Sequence, residues 1–323
     1  MKTALLQIFA IGWMLSALST AAAFPDRVVR IVVPFSPGGV TDLAARFIGE
    51  RLSTKWGKSV IIENRTGGAG IIGVTTVTGA EPDGHTLLMA TNGEFVVKPA
   101  ISSAKLPYDW ERDLAPISFV ASAPYAWAAH SSSGIGSLKD LVAVAKSKPG
   151  NLAYSSAGYG STMHMASEQF ALATGVKLLH VPYKGGSPAA TAVIAGEVPL
   201  GLISTNSVAP LLDARSAKLL AVTGRARSKT IPDVPTVVET GVLRDFEATV
   251  WAGLFAPKAT PAEIVAKIEA AVRESLKDPA LIEKMESIGL IPGEASGTQM
   301  AKQINEEFVQ MTKVAAESGV RLD

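Results

Sequence analysis

Short apolar runs alternate with amphipathic stretches along most of the chain. Residues 28–33 (VVRIVV) are a β-branched run of the kind that fills a buried parallel strand. Pro34-Phe35-Ser36-Pro37-Gly38-Gly39 ends the run, and residues 41–53 then place Leu43, Ala44, Phe47, Ile48 and Leu52 on one helical face. A second strand is expected at 60–63. The Gly67-Gly68-Ala69-Gly70 turn follows, then a helix through Val77, and a third strand at 85–90 after Pro82-Asp83-Gly84. This order of strand and helix implies a parallel sheet covered by helices on both faces.

The middle of the chain repeats the scheme. Helices are expected at 138–148, 162–174 and 187–195, and strands at 152–155, 178–181, 200–203 and 219–223. The C-terminal region adds two amphipathic helices, 261–276 and 298–316. Two apolar stretches, 117–130 and 249–257, carry no turn signal in their middles and read as crossings between two α/β lobes. The expected division is 24–121 plus 250–323 for the first lobe and 122–249 for the second.

Residues 1–23 read differently. Lys2 precedes a mostly apolar stretch from Leu5 to Leu18, and Ala21-Ala22-Ala23 supplies a small-residue cleavage pattern, so a cleaved secretory signal is expected. The whole chain has 323 residues, 30 basic and 29 acidic; losing Lys2 with the leader leaves the two balanced. No global charge points to nucleic acid. Apolar residues at 47% and charged residues at 18% favour a well-filled core over a disordered chain, and with no later stretch long and apolar enough to span a bilayer the mature chain is expected to be soluble and exported. Cysteine is absent, which excludes disulfides, thiolate metal sites and a cysteine nucleophile.

Candidate chemistry sits in the turns. A helix N-terminus carries unpaired N–H groups and about half a positive charge, so it attracts anions. Gly38 and Gly39 let a ligand approach the backbone, Thr41 adds a hydroxyl, and Asp42 reads as a helix-capping carboxylate. Ser155, Ser156, Gly158, Gly160, Ser161 and Thr162 form a second such turn, richer in hydroxyls. Both follow strands, where ligands bind in open α/β sheets. Taken singly, each turn is an ordinary tight connection; as a pair facing one cleft they suit a small carboxylate. His164 fits either a site or a packing role, and Tyr183 and Trp251 either a cleft wall or the core. Gly68-Ala69-Gly70-Ile71-Ile72-Gly73 matches G-x-G-x-x-G, but Asn64-Arg65-Thr66 separate it from its strand, against a dinucleotide reading. There is no G-x-S-x-G elbow and no histidine spacing for a metal, so an exported hydrolase has little support. No cofactor is expected.

Several segments together resemble the Bug-type substrate-binding receptors, the periplasmic components of tripartite tricarboxylate transporters. They are IVVPFSPGGVTD (31–42), IIENR (61–65), EPDGHTLL (81–88), LPYD (106–109), YSSAGYGSTMH (154–164), HVPYKGGSPA (180–189), IPDVPT (231–236) and GLFAP (253–257). The resemblance implies a two-lobed, periplasmic-binding-protein-like α/β fold with the ligand cleft between the lobes. It implies a non-catalytic monomer that captures a small organic acid and delivers it to membrane permease subunits, or alternatively reports it to a signalling partner. Carried over residue by residue, it points to Ser36, Pro37, Gly38, Gly39 and Thr41 on one side. On the other it points to Ser155, Ser156, Gly158, Ser161, Thr162 and His164, with Asn92, Tyr183 and Trp251 as further walls. Where the family often has an acidic residue to meet a ligand amine, this chain has Leu202-Ile203-Ser204-Thr205-Asn206. That favours a ligand without an amine, held at its far end by groups such as Thr205 and Asn206. Glu94 is expected near the cleft, where it would oppose a second carboxylate.

Overall fold

The computed structural model describes residues 24–213 and 216–322; the expected leader lies outside the described residues. The first strands are β1 (Val29–Val33), β2 (Val60–Asn64) and β3 (Thr86–Thr91), parallel to one another with β1 in the middle. Helices α1 (Val40–Trp56) and α2 (Ile71–Thr78) make the crossovers. Every residue of β3 is buried, as expected for a strand covered on both faces. Gly73 of α2 has a packing role: a Cβ there would lie 2.7 Å from Pro34 Cα. The third glycine of the G-x-G-x-x-G match therefore serves helix-to-turn contact.

A 17-residue strand, β4 (Leu114–His130), then runs through the molecule. Beyond it come α3 (Leu138–Ser147), β5 (Ala153–Ser156), α4 (Thr162–Thr174), β6 (Leu179–Pro182), α5 (Gly186–Ile194), β7 (Leu200–Ser204) and β8 (Ala217–Val222). The chain returns through β9 (Thr249–Pro257), followed by α6 (Ala262–Ser275), α7 (Pro279–Glu286), β10 (Ile291–Pro292) and α8 (Gly297–Ser318). The strand order is β2-β1-β3-β9-β4-β7-β5-β6, with β8 and β10 also paired to β4. The fold is thus two-lobed α/β, with β4 shared. It pairs antiparallel with β9 as far as Pro124, then with β7 from Tyr125.

Helix 162–174 forms as the periodicity predicts, because Ser161 caps its start and Gly175 closes it in a left-handed conformation (φ 66). The elements without a counterpart among the expected ones include α7 and the turn after β3. Asp278 caps α7 with Pro279 at its first position, a start signal present in the sequence. Residues Gly93–Val97 form a π-helical turn directly after β3, which an apolar run does not announce.

α8 and β10 pack directly on the β4 backbone. A Cβ on Gly293 would meet the Phe119 carbonyl oxygen, and one on Gly297 the Pro116 carbonyl oxygen; on Gly253 the obstacles are side chains, the flexible Met300 first and then Phe255 Cε2 at 3.1 Å. Gly293→Ala is therefore expected to cost roughly 1–3 kcal/mol in urea unfolding. Gly253→Ala is expected to cost less, because Met300 can turn aside. Equal losses in the two variants would contradict this packing.

Candidate functional site

The turn from β1 to α1 is exposed at Ser36, Pro37 and Gly38. α1 starts at Gly39, which provides no side-chain cap, so the amides of Val40, Thr41 and Asp42 have no partner within the helix. Ideal Cβ positions on Gly38 and Gly39 meet nothing within 4 Å. Thr41 is buried.

Asp42 organises this turn. One carboxylate oxygen accepts from the Gly38 N–H (3.0 Å) and Arg46 Nε (2.9 Å), the other from Arg46 (3.0 Å) and Asn64 Nδ2 (3.0 Å). Asn64 also donates to the Phe35 carbonyl at 2.8 Å. The Gly38 N–H is therefore committed, which removes it from the expected donors, while Gly39 and the first amides of α1 stay free. Burial alone would raise the Asp42 carboxyl. The hydrogen bonds from Arg46, Gly38 and Asn64 outweigh it and hold the group below the usual aspartate range. Arg46 stands four residues from Asp42, a helical pairing distance that the sequence displays; nothing local announces Asn64.

The second turn lies at the end of β5. Ser155 is fully buried and its hydroxyl donates to the Ala189 carbonyl (2.9 Å). Ser156 is also fully buried; its oxygen lies 2.6 Å from His180 Nε2 and accepts from the Gly158 N–H at 3.2 Å. Ser161 is the cap of α4, accepting from the His164 N–H. His164 is 2% exposed, and its Nδ1 accepts from the Gly160 N–H at 3.1 Å. Ser155, Ser156 and His164 thus brace the turn from within, a correction to their expected direct contact with ligand. Tyr183 is half-buried beside the turn, its N–H donating to the Ser156 carbonyl and its hydroxyl to Glu197.

The two lobes meet around this turn. A Cβ on Gly93 would lie 3.4 Å from the Thr162 methyl, and one on Gly160 would lie 2.7 Å from Ile101 Cδ1 and 3.3 Å from Leu322. The Arg321 N–H donates to the Tyr159 hydroxyl. Asn92 and Thr162 line a shared inter-lobe cavity of about 370 Å³, which extends between α4 and α8.

Three expectations change. Trp251 is fully buried in the core with Val32, Leu88 and Phe255, and its indole N–H donates to Glu307 (2.9 and 3.1 Å), so it walls no cleft. Thr205 is 2% exposed and donates to the Gly289 carbonyl; Asn206, half-buried, accepts from Ser204 through its amide oxygen. Glu94 is fully buried and takes the Thr91 N–H (2.9 Å) and hydroxyl (2.8 Å), with Lys98 Nζ 3.8 Å away, so its charge is turned into the protein. Among the described residues no cluster suits a metal ion, and no helix is long and apolar enough to cross a membrane.

Comparison with known proteins decides the relationship. The model of the tripartite tricarboxylate transporter family receptor matches residues 44–320. The chain belongs to that family. It is similar to the protein BugT of Bordetella pertussis, 30% identical over 99% of this chain and 98% of that one. Two solved structures share its fold. One is an R. palustris protein with adipate (TM-score 0.84, 34% identity, 92% of this chain and 99% of that one). The other is MatC from Rhodopseudomonas palustris with bound malate (0.79, 31%, 90% and 99%). As a member of the tripartite tricarboxylate transporter receptors, the chain is a solute-binding protein of the periplasmic type and not an enzyme.

In this receptor, removing the Asp42 charge leaves the Gly38 N–H and Arg46 without their anionic acceptor. Asp42→Asn is expected to lose about 1–3 kcal/mol of stability at pH 7. The lowered folded pKa means that the wild type has this contribution in full above the unfolded value of about 3.9. The contribution disappears as pH falls through the folded value. Urea unfolding between pH 3 and 7 should show the Asp42→Asn deficit shrinking at the acid end; a constant deficit would contradict the assignment.

Proposed function

We propose that this receptor captures a small organic mono- or dicarboxylate without an amine between its two lobes. We further propose that it delivers the acid to the membrane permease subunits of a tripartite transporter. The lobes would be 24–121 with 250–323, and 122–249, and the chain would reach the periplasm after removal of residues 1–23. The observation that carries the reading is the start of α1. Its amides are uncapped and Gly39 leaves open space before them, while the nearby arginine, Arg46, is already engaged by Asp42. A negative ligand end finds there the Gly39 and first α1 amides and a helix dipole, Asp42 having taken the Gly38 N–H. Thr41, Thr162, Ser36 and Asn206 are the side chains proposed to share the ligand with that backbone. The absence of a carboxylate in Ser204-Thr205-Asn206 supports a ligand without an amine. Relatives solved with adipate and malate support the acid class.

Thermal-shift measurement with adipate, malate, shorter and longer dicarboxylates, monocarboxylates and amino acids tests this. Binding to the native state raises the melting point by mass action. The expected result is stabilisation by an acid without an amine; stabilisation by amino acids or sugars alone would overturn the reading. Gly39→Val is expected to fold, since its backbone (φ −79, ψ 172) accepts a side chain and its Cβ meets nothing. The branched side chain would fill the approach to the α1 amides, so affinity by titration calorimetry should fall at least about tenfold, or 1.4 kcal/mol. Unchanged affinity would place the acid elsewhere.

A further inference from the structure

His164 and His180 lie face to face behind the Ser/Gly turn, ring centroids 3.8 Å apart and planes 11° from parallel. They come from different elements, α4 and β6. Each holds one part of the turn. His180 Nε2 exchanges a hydrogen bond with the Ser156 hydroxyl at 2.6 Å, and Ser156 in turn holds Gly158. His164 Nδ1 accepts the Gly160 N–H at 3.1 Å. The Tyr159 ring covers His164 at 4.9 Å, and Tyr154 lies 5.2 Å from His180.

The two rings differ in what a proton does to them. Ser156 Oγ also lies 3.2 Å from the Gly158 carbonyl. A protonated His180 can donate to that oxygen, the serine hydroxyl turns to Gly158, and the turn survives. His164 has no such escape. Its Nδ1 must keep a lone pair to receive Gly160, so its own proton sits on Nε2; a second proton on Nδ1 sets one N–H against another. The charged group that faces His164 is Glu168 of α4, with Oε1 3.7 Å from His164 Nε2 and accepting from Tyr154 of β5 at 3.1 Å. From β6 it faces only His180, and from the turn Tyr159.

We propose that His164 is a positioning residue for the ligand turn, holding Gly160 through its unprotonated Nδ1, and that a proton delivered there from solvent frees the turn and releases the bound acid. The neutral state is strongly favoured in the fold. Burial, and then the neighbouring His180, depress His164 to about 3, and burial depresses His180 to about 4. Burial also raises the Glu168 carboxyl above the usual glutamate range, which weakens it as a partner for a protonated His164. A freed His164 would titrate near 6.5. Acid below that value therefore drives the turn toward the open form, because the open form binds the proton more tightly. The proposal rests on the assignment of this turn to the ligand site, and the test separates the two.

The experiment compares wild type, His164→Asn and His164→Leu. Asparagine offers Oδ1 where Nδ1 stood and does not titrate; leucine offers no acceptor. Hydrogen exchange of the 158–161 amides, followed without ligand at pH 7.5 and 4.5, reads the turn directly. Adipate titration in the same buffers reads binding, and the variant-to-wild-type ratio cancels the titration of adipate itself. Expected is about tenfold or greater loss of Gly160 protection in His164→Leu at pH 7.5, with most of it recovered in His164→Asn. At pH 4.5 wild type should lose protection relative to His164→Asn, and its adipate affinity should fall relative to that variant by the fraction of molecules in which the turn is then open. Equal protection in wild type and His164→Asn at pH 4.5, or leucine matching asparagine at pH 7.5, would overturn the proposal. If the turn opens as expected while neither adipate nor any other acid binds, the positioning role stands and the carboxylate reading fails.

Discussion

Because β4 pairs with β9 up to Pro124 and with β7 and β8 beyond it, one strand carries the alignment of both lobes. Its side chains are almost continuously buried, which explains an apolar run of this length without a membrane. The strand contains Pro116 and Pro124, residues that cannot donate to a ladder. Pro116 stands where the register with β9 slips, and Pro124 at the last β9 pair. The backbones of Gly293 and Gly297 press against the same strand. Any change in the path of β4 would therefore move α8, β10 and the second lobe together, and with them the spacing of the two turns.

The elements that the sequence displayed most clearly are those framed by local chemistry. Ser161 and Gly175 bracket α4, and Gly39 and Gly57 bracket α1, so periodicity and caps agree. The two long extended stretches were legible because they carry no turn signal in their middles, although Pro124 stands inside the first. The π-helical Gly93–Val97 was not legible, because Phe95-Val96-Val97 fits a strand as well as a helix and only tertiary packing decides. For α7 the Asp278-Pro279 start was present, and only its shortness hid it.

The two turns were legible in the sequence; the partners of their individual side chains were not. A serine in a glycine-rich turn looks available until its partner is known. Ser155 finds Ala189, Thr205 finds Gly289 and Trp251 finds Glu307, each from a distant segment that no local pattern connects. His180 and Asn64 were missed for the same reason: both act on a turn that belongs to another part of the chain. Glu94 was misread because a carboxylate next to a turn suggests exposure, whereas the π-helical turn folds it back onto Thr91.

Backbone amides are weak partners for an anion unless they are held still, since an N–H that must be ordered on binding gives back much of its interaction as lost entropy. The two turns meet this requirement by different chemistry. In the first, an ionised carboxylate grips Gly38 and is itself fixed by Arg46 and Asn64. Charge-assisted bonds of that kind are strong and insensitive to pH near neutrality. In the second, neutral imidazoles and a serine hydroxyl grip Gly158 and Gly160, so the turn is equally ordered but answers to protons. The charged brace thus holds one turn and the neutral one the other.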